Sequence, residues 1–393
     1  MPEAGLCAIF DVGKTNKKLL LFNEDYQVVE QTSARLPETT DEDGFPCEDA
    51  GRLTDWVKDS LAALLMRHAV TAVNFSAYGA SFVYAGESGQ PILPLYNYLR
   101  PFPTKLQQAF DRRYGGRVNV ETASPRLGSL NSGMQLYRLR HERPEEFNKI
   151  RYALHLPNFL STVFGGKPCT EITSVGCHSL LWDFRHNDYH AWVKNEGLAD
   201  KFAPFRRATE TTCVKFMGKN LLLGTGLHDS SAALVPYLLR FTDPFILLST
   251  GTWNIGLNPF NRRPLTSEQL DSDCLNYLSY SGGPVMASRL HAGPLHEAAL
   301  KLRPEEYNAA LDRIADAQAR AISLIDNEVP SLFVDGGFSG NDFFMRKLAQ
   351  RHPDKIVSAA LVGQATALGA ALVIHDAWNS RPAPTGLIAF KRH

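Results

Sequence analysis

A short pattern occurs twice in this chain, and the repetition constrains the fold more than any other feature. Phe10-Asp11-Val12-Gly13-Lys14-Thr15-Asn16 closes one apolar run, and Leu248-Ser249-Thr250-Gly251-Thr252-Trp253-Asn254 closes another. Each puts a small polar turn with a glycine at the end of a strand. Each is followed by a second apolar run, Lys18 to Phe22 in the first case and Asn254 to Leu257 in the second. Strand, Gly/Thr turn, strand reads as a β-hairpin. Two such hairpins, each opening one half of 393 residues, predict an ancient duplication with a hydrophobic core in each half. The length agrees, since roughly 150 residues make an average domain.

Helical and strand patterns alternate around the hairpins. Arg52 to His68 carries Trp56, Val57, Leu61, Leu64 and Leu65 at helical spacing. Val70 to Phe75 is a buried strand leading into Tyr78-Gly79-Ala80-Ser81. Gln135 to Arg140 and Leu156 to Phe164 are helical, the second starting near Pro157 and stopping at Gly165-Gly166. Leu221 to Leu223 is a short strand, after which Gly224-Thr225-Gly226-Leu227-His228-Asp229 turns into a helix rich in Ala and Leu. Ser331 to Val334 is a strand feeding Asp335-Gly336-Gly337-Phe338-Ser339-Gly340-Asn341-Asp342 and a helix from Phe343 to Arg351. A strand around Ile356-Val357 and a helix from Gln364 to Trp378 follow, and the tail after Asn379, with Pro382 and Pro384, is expected to be loosely tied. This alternation predicts an α/β architecture.

Composition narrows the partners. Hydrophobic residues make up 44% and charged residues 21%, which excludes a disordered chain. Forty-one basic residues balance forty-one acidic ones, so no overall field recruits nucleic acid or an anionic membrane, and a small molecule is the expected ligand. The six cysteines form no C-x-x-C pair and read as reduced thiols. Pro2 and Glu3 stand where a leader would carry basic residues, and the apolar stretch after them runs into Asp11, which reads as a strand. The most apolar long region, Ala232 to Leu248, is interrupted by Pro236, Arg240, Asp243 and Pro244, so no membrane span is expected. The expected location is the cytoplasm.

Gly13-Lys14-Thr15 imitates the end of a Walker A loop, but the loop's first glycine would fall on Ala8, inside a strand, and no helix follows Thr15. A tight hairpin offers phosphate oxygens a different cradle, its successive backbone N–H groups, here with Lys14, Thr15, Asn16 and Lys18 around them. Asp11 at the strand end would face the phosphates and hold Mg²⁺ through water. Standing alone, this would be an ordinary polar hairpin. Ser249-Thr250-Gly251-Thr252 supplies an opposing hairpin, and two hairpins clamp the β- and γ-phosphates as one could not. Gly336-Gly337 adds a third loop where backbone approaches a ligand closely. Asp229 has two readings, a first-turn residue that serves helix amides or a general base that takes a proton from a substrate hydroxyl. His228 beside it either tunes that carboxylate or packs.

Together these motifs resemble the FGGY carbohydrate kinases of the actin, hexokinase and heat-shock ATPase superfamily, most nearly the L-rhamnulokinase-like members. Asp11 to Asn16 is similar to the first phosphate motif, Gly226-Leu227-His228-Asp229 to the catalytic turn, and Ser249 to Trp253 to the second phosphate motif. Asp335-Gly336-Gly337 with Ser339 and Asn341 looks like the nucleoside motif, and Gly363-Gln364-Ala365-Thr366-Ala367-Leu368-Gly369-Ala370-Ala371 like the closing adenine-site helix. The resemblance covers nearly the whole chain. It implies two ribonuclease-H-like domains around a cleft: residues 1–240 with the sugar site and first phosphate motif, and residues 241–393 with the nucleotide site. It further implies ATP and Mg²⁺ as cofactors, Asp229 as the base, and a monomer or homodimer. The sugar segments look like Tyr78-Gly79-Ala80-Ser81, Tyr96-Asn97-Tyr98-Leu99-Arg100 and His228, with Ser81 and Tyr98 standing where rhamnulokinase-like members usually have Asp. Two absent carboxylates are two absent acceptors for sugar hydroxyls.

The expected function is therefore an ATP-dependent kinase acting on a terminal hydroxyl, C1, of a ketose, with deoxyketohexoses such as L-rhamnulose or L-fuculose as first candidates. A pentulose or polyol kinase is the alternative within the class. A non-catalytic sugar or nucleotide sensor on the same scaffold is the alternative outside it, and a sensor has no need of Asp229.

Overall fold

The structure is a computed structural model that describes residues 5–384 and 386–393, and of residues 304 and 305 the backbone alone. Pro2 and Glu3, on which the leader argument rests, lie outside the described residues. The first sheet contains β1 (Leu6–Val12), β2 (Lys17–Phe22), β3 (Val28–Ala34), β4 (Val70–Ala77), β5 (Thr211–Phe216), β6 (Lys219–Gly224) and β7 (Leu227–His228). Its strand order is β5-β6-β4-β1-β2-β3, with β7 beside β4. The second sheet contains β8 (Phe245–Thr250), β9 (Asn254–Asn258), β10 (Cys274–Leu278), β11 (Pro284–Leu290), β12 (Ser331–Gly336), β13 (Ile356–Leu361) and β14 (Ala389–Arg392), in the order β10-β11-β9-β8-β12-β13-β14.

The two sheets repeat one plan. In each, the strand that ends in the Gly/Thr turn is central, antiparallel to its hairpin partner on one side and parallel to a later strand on the other. This repeat is the duplication that the hairpins predict, in the actin- and hexokinase-like two-domain arrangement that the family resemblance implies. Central position explains why β1 and β8 read as near-continuous apolar runs, because both faces of each strand are covered. By contrast β3, at the sheet edge, is largely exposed.

Helix α1 (Ala50–Leu65) starts where the Asp49 carboxylate accepts from the backbone N–H groups of Gly51 and Arg52, an N-cap that satisfies two otherwise orphaned donors. It lays Leu53, Val57, Leu61 and Leu64 on the first sheet. Helix α2 (Asp229–Arg240) follows β7 directly. In the second half, α3 (Pro304–Ile325) and α4 (Asp342–Arg351) pack Leu311, Ile322, Phe344 and Leu348 into one core with Ile246 and Val334.

Two expectations about the C-terminal region are corrected. The single helix expected from Gln364 to Trp378 is two, α5 (Ala365–Leu372) and α6 (His375–Trp378). The tail is tied down, because β13 would otherwise leave a row of unpaired N–H and C=O groups. Strand β14 pairs with it, Arg392 opposite Ser358, and Arg381 forms ion pairs with Glu24 and Asp25.

Helix α5 comes late in the chain yet packs on the first sheet. Ala367, Ala370 and Ala371 share a core with Ile9, Leu20, Ala72, Ala232 and Val235, and the Asn74 amide donates to the Ala370 carbonyl at 2.7 Å. Its small residues let it cross α2 closely: a Cβ on Gly369 would stand 1.8 Å from the Ala232 carbonyl oxygen. All six thiols are unpaired, and among them Cys213 alone is exposed. Among the described residues no helix is long and apolar enough to cross a membrane.

Candidate active site

Strands β1, β4 and β7 end side by side, which brings residues from distant parts of the sequence to one sheet edge. Asp11 lies opposite Ser76, Leu227 opposite Ser76, and His228 opposite Ala77. Asp229, one residue beyond β7, therefore emerges beside Asp11 at the carboxyl ends of parallel strands, where open α/β sheets bind ligands.

The two carboxyl groups sense each other. Burial pushes Asp229 up to about 6, against hydrogen bonds from the Ser230 backbone N–H (2.6 Å) and hydroxyl (3.3 Å). Burial also pushes Asp11 up to about 6; the neighbouring Asp229 adds to the rise and Lys18 opposes it. Both groups are charged at neutral pH and close enough to it to exchange protons, which is the range a general base needs. The Asp229 side chain keeps 36% of its surface open and lies 3.1 Å from His228 Nε2. Burial pushes the imidazoles of His228 and His178 down to about 3, so both are neutral.

From the other sheet come Ser249, Thr250 and Gly251. The Thr250 hydroxyl accepts from the Phe338 N–H at 2.9 Å and donates to the Asp335 carbonyl, and the Thr250 carbonyl accepts from the Gly337 N–H at 3.0 Å. These bonds join the second hairpin to the Gly336-Gly337 loop. Gly336 has φ +79°, and a Cβ there would stand 2.0 Å from the Thr250 oxygen, so this close approach excludes any side chain. A Cβ on Gly337, Gly340 or Gly363 would meet open space instead, leaving room for a ligand to reach the backbone. Asp335 is buried and pushed up to about 6 by that burial, with the Tyr237 hydroxyl donating to it at 3.1 Å. Asn341 caps α4, its side-chain oxygen accepting from the Phe344 N–H at 3.0 Å.

A cavity of about 280 Å³ lies between the halves, lined by Tyr78, Gly79, Tyr98, His228, Asp229, Ser249, Thr250 and Gly251 from the sequence-derived set. The first hairpin turn stands outside this lining. In it the Gly13 N–H donates to the Asn16 carbonyl at 3.0 Å, Lys14 pairs with Glu38 and Glu48, Asn16 accepts from Arg35, and Thr15 is exposed. Lys18 donates to the Gln364 side-chain oxygen at 2.9 Å. Thr252 is also exposed, its carbonyl accepting from the Gly293 N–H. Ala80 and Ser81 are buried, the Ala80 carbonyl accepting from the Gln135 amide at 2.5 Å. Arg100 lies outside the cavity lining, in ion pairs with Asp41 at 3.0 Å and with Asp43.

Several residues at the site escaped the sequence reading. Lys17 is 2% exposed; its ammonium donates to the carbonyls of Gly13 (3.1 Å) and Lys14 (2.9 Å) and pairs with Glu48 at 2.8 Å. Glu48 in turn accepts from the Tyr78 hydroxyl at 2.7 Å. This chain of contacts fixes the first turn and ties it to the Tyr78 loop. His178, Tyr277 and Arg289 also line the cavity, together with two residues of the sequence-derived motifs, Trp253 from the second hairpin and Thr366 from the segment likened to the closing helix. The His228 ring stacks on Tyr277, with centroids 5.4 Å apart and planes 25° apart.

Residues 6–215 match the sequence model of the N-terminal domain of the FGGY family of carbohydrate kinases. The rhamnulokinase of Bacteroides thetaiotaomicron is 24% identical over 224 residues, which cover 54% of this chain and 45% of that protein. For the rhamnulokinase of Halalkalibacterium halodurans the match is 24% over 263 residues, covering 62% and 52%. The chain thus spans about half the length of the curated relatives it matches. In fold it is similar to a carbohydrate kinase from Novosphingobium aromaticivorans (TM-score 0.85, 24% identity, 99% of this chain and 94% of that one). It is likewise similar to a xylulose kinase from Lactobacillus acidophilus (TM-score 0.83, 13% identity, 98% and 93%). With more than half of its residues inside the match, the chain belongs to the FGGY family of carbohydrate kinases.

Proposed function

We propose that this chain transfers the γ-phosphoryl group of ATP to a terminal hydroxyl of a sugar, with Asp229 as the general base. The observation that carries this reading is the meeting of Asp229 with the second phosphate hairpin in one cavity that Tyr78, Gly79 and Tyr98 also line. In the step, the acceptor oxygen forms a bond to the γ-phosphorus and its proton passes to Asp229. The bond from that phosphorus to the β–γ bridging oxygen breaks, and ADP leaves.

The residues present fit ATP and a divalent cation. Asp11 and Asp229 raise each other's cost of ionisation, and the bare backbone at Gly337, Gly340 and Gly363 leaves space for a nucleotide. Asp11 would hold Mg²⁺, which supplies charge neutralisation at the β- and γ-phosphates. Lys18 and the Thr15 turn would contact phosphate from the first half, and Thr250, Gly251 and Thr252 from the second. Gly336, Gly337, Asn341 and Gln364 would border the nucleoside.

We place the domain boundary at residues 240/241. Every strand of the first sheet precedes it and every strand of the second follows it, while α5 crosses back to the first core. The motifs suggest a ketose phosphorylated at C1, with deoxyketohexoses such as L-rhamnulose and L-fuculose as the first neutral candidates to test, and the cytoplasm as the place of action. A coupled assay for ADP release over ketohexoses, pentuloses and polyols tests this reading. ADP formed with a ketose and Mg²⁺ supports it; sugar or nucleotide binding without turnover on any acceptor would make the chain a sensor.

A further inference from the structure

We propose that the acceptor carries a carboxylate, held by Arg289, so that the substrate class is a sugar acid. This rests on the kinase reading above, because it treats the cavity beside Asp229 as the acceptor site.

The charge inventory of the cavity is short. Among its lining residues Arg289 is the one Lys or Arg, and Asp229 is the one Asp or Glu. The Arg289 side chain is only 5% exposed. Its Nη2 donates to Asp273 at 2.5 Å, a carboxylate that is itself 39% exposed, and its Nε has no hydrogen-bond partner. A guanidinium taken out of water with a donor left open is costly, and a solvated surface carboxylate on one nitrogen offsets only part of that cost. An anion entering the cavity supplies the missing partner, and the planar guanidinium suits a carboxylate.

The guanidinium is also held in place. Its central carbon lies 5.0 Å from the Trp253 ring centroid, and Trp253 also stacks with His291, centroids 4.2 Å apart and planes 15° apart. Arg289 stands opposite Ile255, which stands opposite Ser249, so the three form one row across the second sheet. Its charge is felt at His178 and Tyr277, and both of those rings contact His228, the neighbour of Asp229. The cation therefore belongs to the end of the cavity where the acceptor meets the base. Among the first-half lining residues Asp229 is the one acid, and Tyr78, Gly79 and Tyr98 add no further carboxylate.

The experiment uses matched acceptor pairs, each ketohexose against the ketouronate in which the far CH₂OH is oxidised to a carboxylate, and each alditol against its aldonate. In the unaltered protein the acid of the best pair should exceed its neutral partner in kcat/KM by about 10–100-fold, the usual worth of a hydrogen bond to a charged group. Arg289→Gln should bring that ratio to about one, and Arg289→Lys should retain part of it. The inference is overturned if the unaltered protein prefers the neutral member of every pair or shows no preference, or if a folded Arg289→Gln keeps the ratio. It is equally overturned if that variant raises the KM for ATP in step with the KM for the acceptor, which would assign Arg289 to the transferred phosphoryl group. The ratio in the unaltered protein stands even if the variant does not fold. If no acceptor of either class yields ADP, the kinase reading falls by itself. Calorimetry with the same pairs then still decides the Arg289 assignment, tighter binding of the acids supporting it and equal binding overturning it.

Discussion

Lys18 and Gln364 are 346 positions apart in the chain, and the Lys18 ammonium donates to the Gln364 side-chain oxygen at 2.9 Å. Lys18 lies opposite Asp11 in the first hairpin. Gln364, in a left-handed conformation with φ +61°, precedes α5, the helix that crosses from the second half to the first core. One bond thus joins the first hairpin to the segment that leads into α5, and it holds a cation beside Asp11.

That placement predicts a nucleotide defect. Lys18→Met should raise the KM for ATP by about 10–100-fold, the worth of a charge-assisted hydrogen bond to phosphate. Calorimetry with sugar alone should show little change, because Lys18 is outside the cavity lining. A defect confined to sugar binding would remove Lys18 from the phosphate site.

Asp229→Asn should keep the fold and lower turnover by about 10²–10⁴. The pH profile of the unaltered protein should fall on its acid side near pH 6, where Asp11 and Asp229 both take up protons; the two groups interact, so the limb belongs to the pair. The same shift has a stability consequence. The folded pKa, about 6, is above the unfolded value of 3.8, so the unfolded chain ionises first as pH rises. Asp229 therefore costs stability increasingly from about pH 4 to pH 6 and fully above it. Thermal melts should show Asp229→Asn to be more stable than the unaltered protein at pH 7–8, with the gap closing toward pH 4. A gap that widens toward low pH would contradict the assignment.

Gly336→Ala should disturb the junction of the second hairpin with the glycine loop. Both the positive φ and the 2.0 Å approach to the Thr250 carbonyl forbid a methyl group, and relieving them means breaking the bonds from Phe338 and Gly337 to Thr250. The expected loss is about 1–3 kcal/mol of stability, with weaker nucleotide binding by calorimetry. Gly337→Ala, at a position with nothing within contact distance, serves as the control and should melt as the unaltered protein does.

The sequence made the hairpins legible because each is local: an apolar run, a Gly/Thr turn and a second apolar run follow one another, and β1 and β8 end within two residues of the expected places. The position of Asp229 was legible because a Gly-rich turn and a helix start coincide there. The Lys17–Glu48–Tyr78 contacts were not, since Lys17 and Lys18 look alike in sequence while strand alternation sends one inward and the other toward Gln364. Arg289 was hidden for a related reason. Nothing in Pro284–Leu290 marks it, and its setting comes from Trp253 and Asp273, each on a different segment. The tail strand Ala389–Arg392, with two of four residues basic, carries no apolar pattern of its own and is ordered by the open edge of β13.

The last prediction concerns motion between the halves. Thr250 and Gly251 line the cavity beside Asp229, whereas Lys14, Thr15 and Asn16 do not. On the kinase reading both turns grip one triphosphate, so the first turn and the second must approach each other when nucleotide and sugar are both bound. Closure of this kind excludes water from the γ-phosphate and so suppresses futile hydrolysis. ATP hydrolysis without sugar should then be slow, and Thr15→Val or Thr252→Val should weaken nucleotide use far more than sugar binding. Small-angle scattering of the free protein and of the protein with sugar and a non-hydrolysable nucleotide should show a smaller radius of gyration in the liganded state. An unchanged radius, together with a ligand-free crystal form in which the two turns already meet, would sink the gating idea while leaving phosphoryl transfer at Asp229 in place.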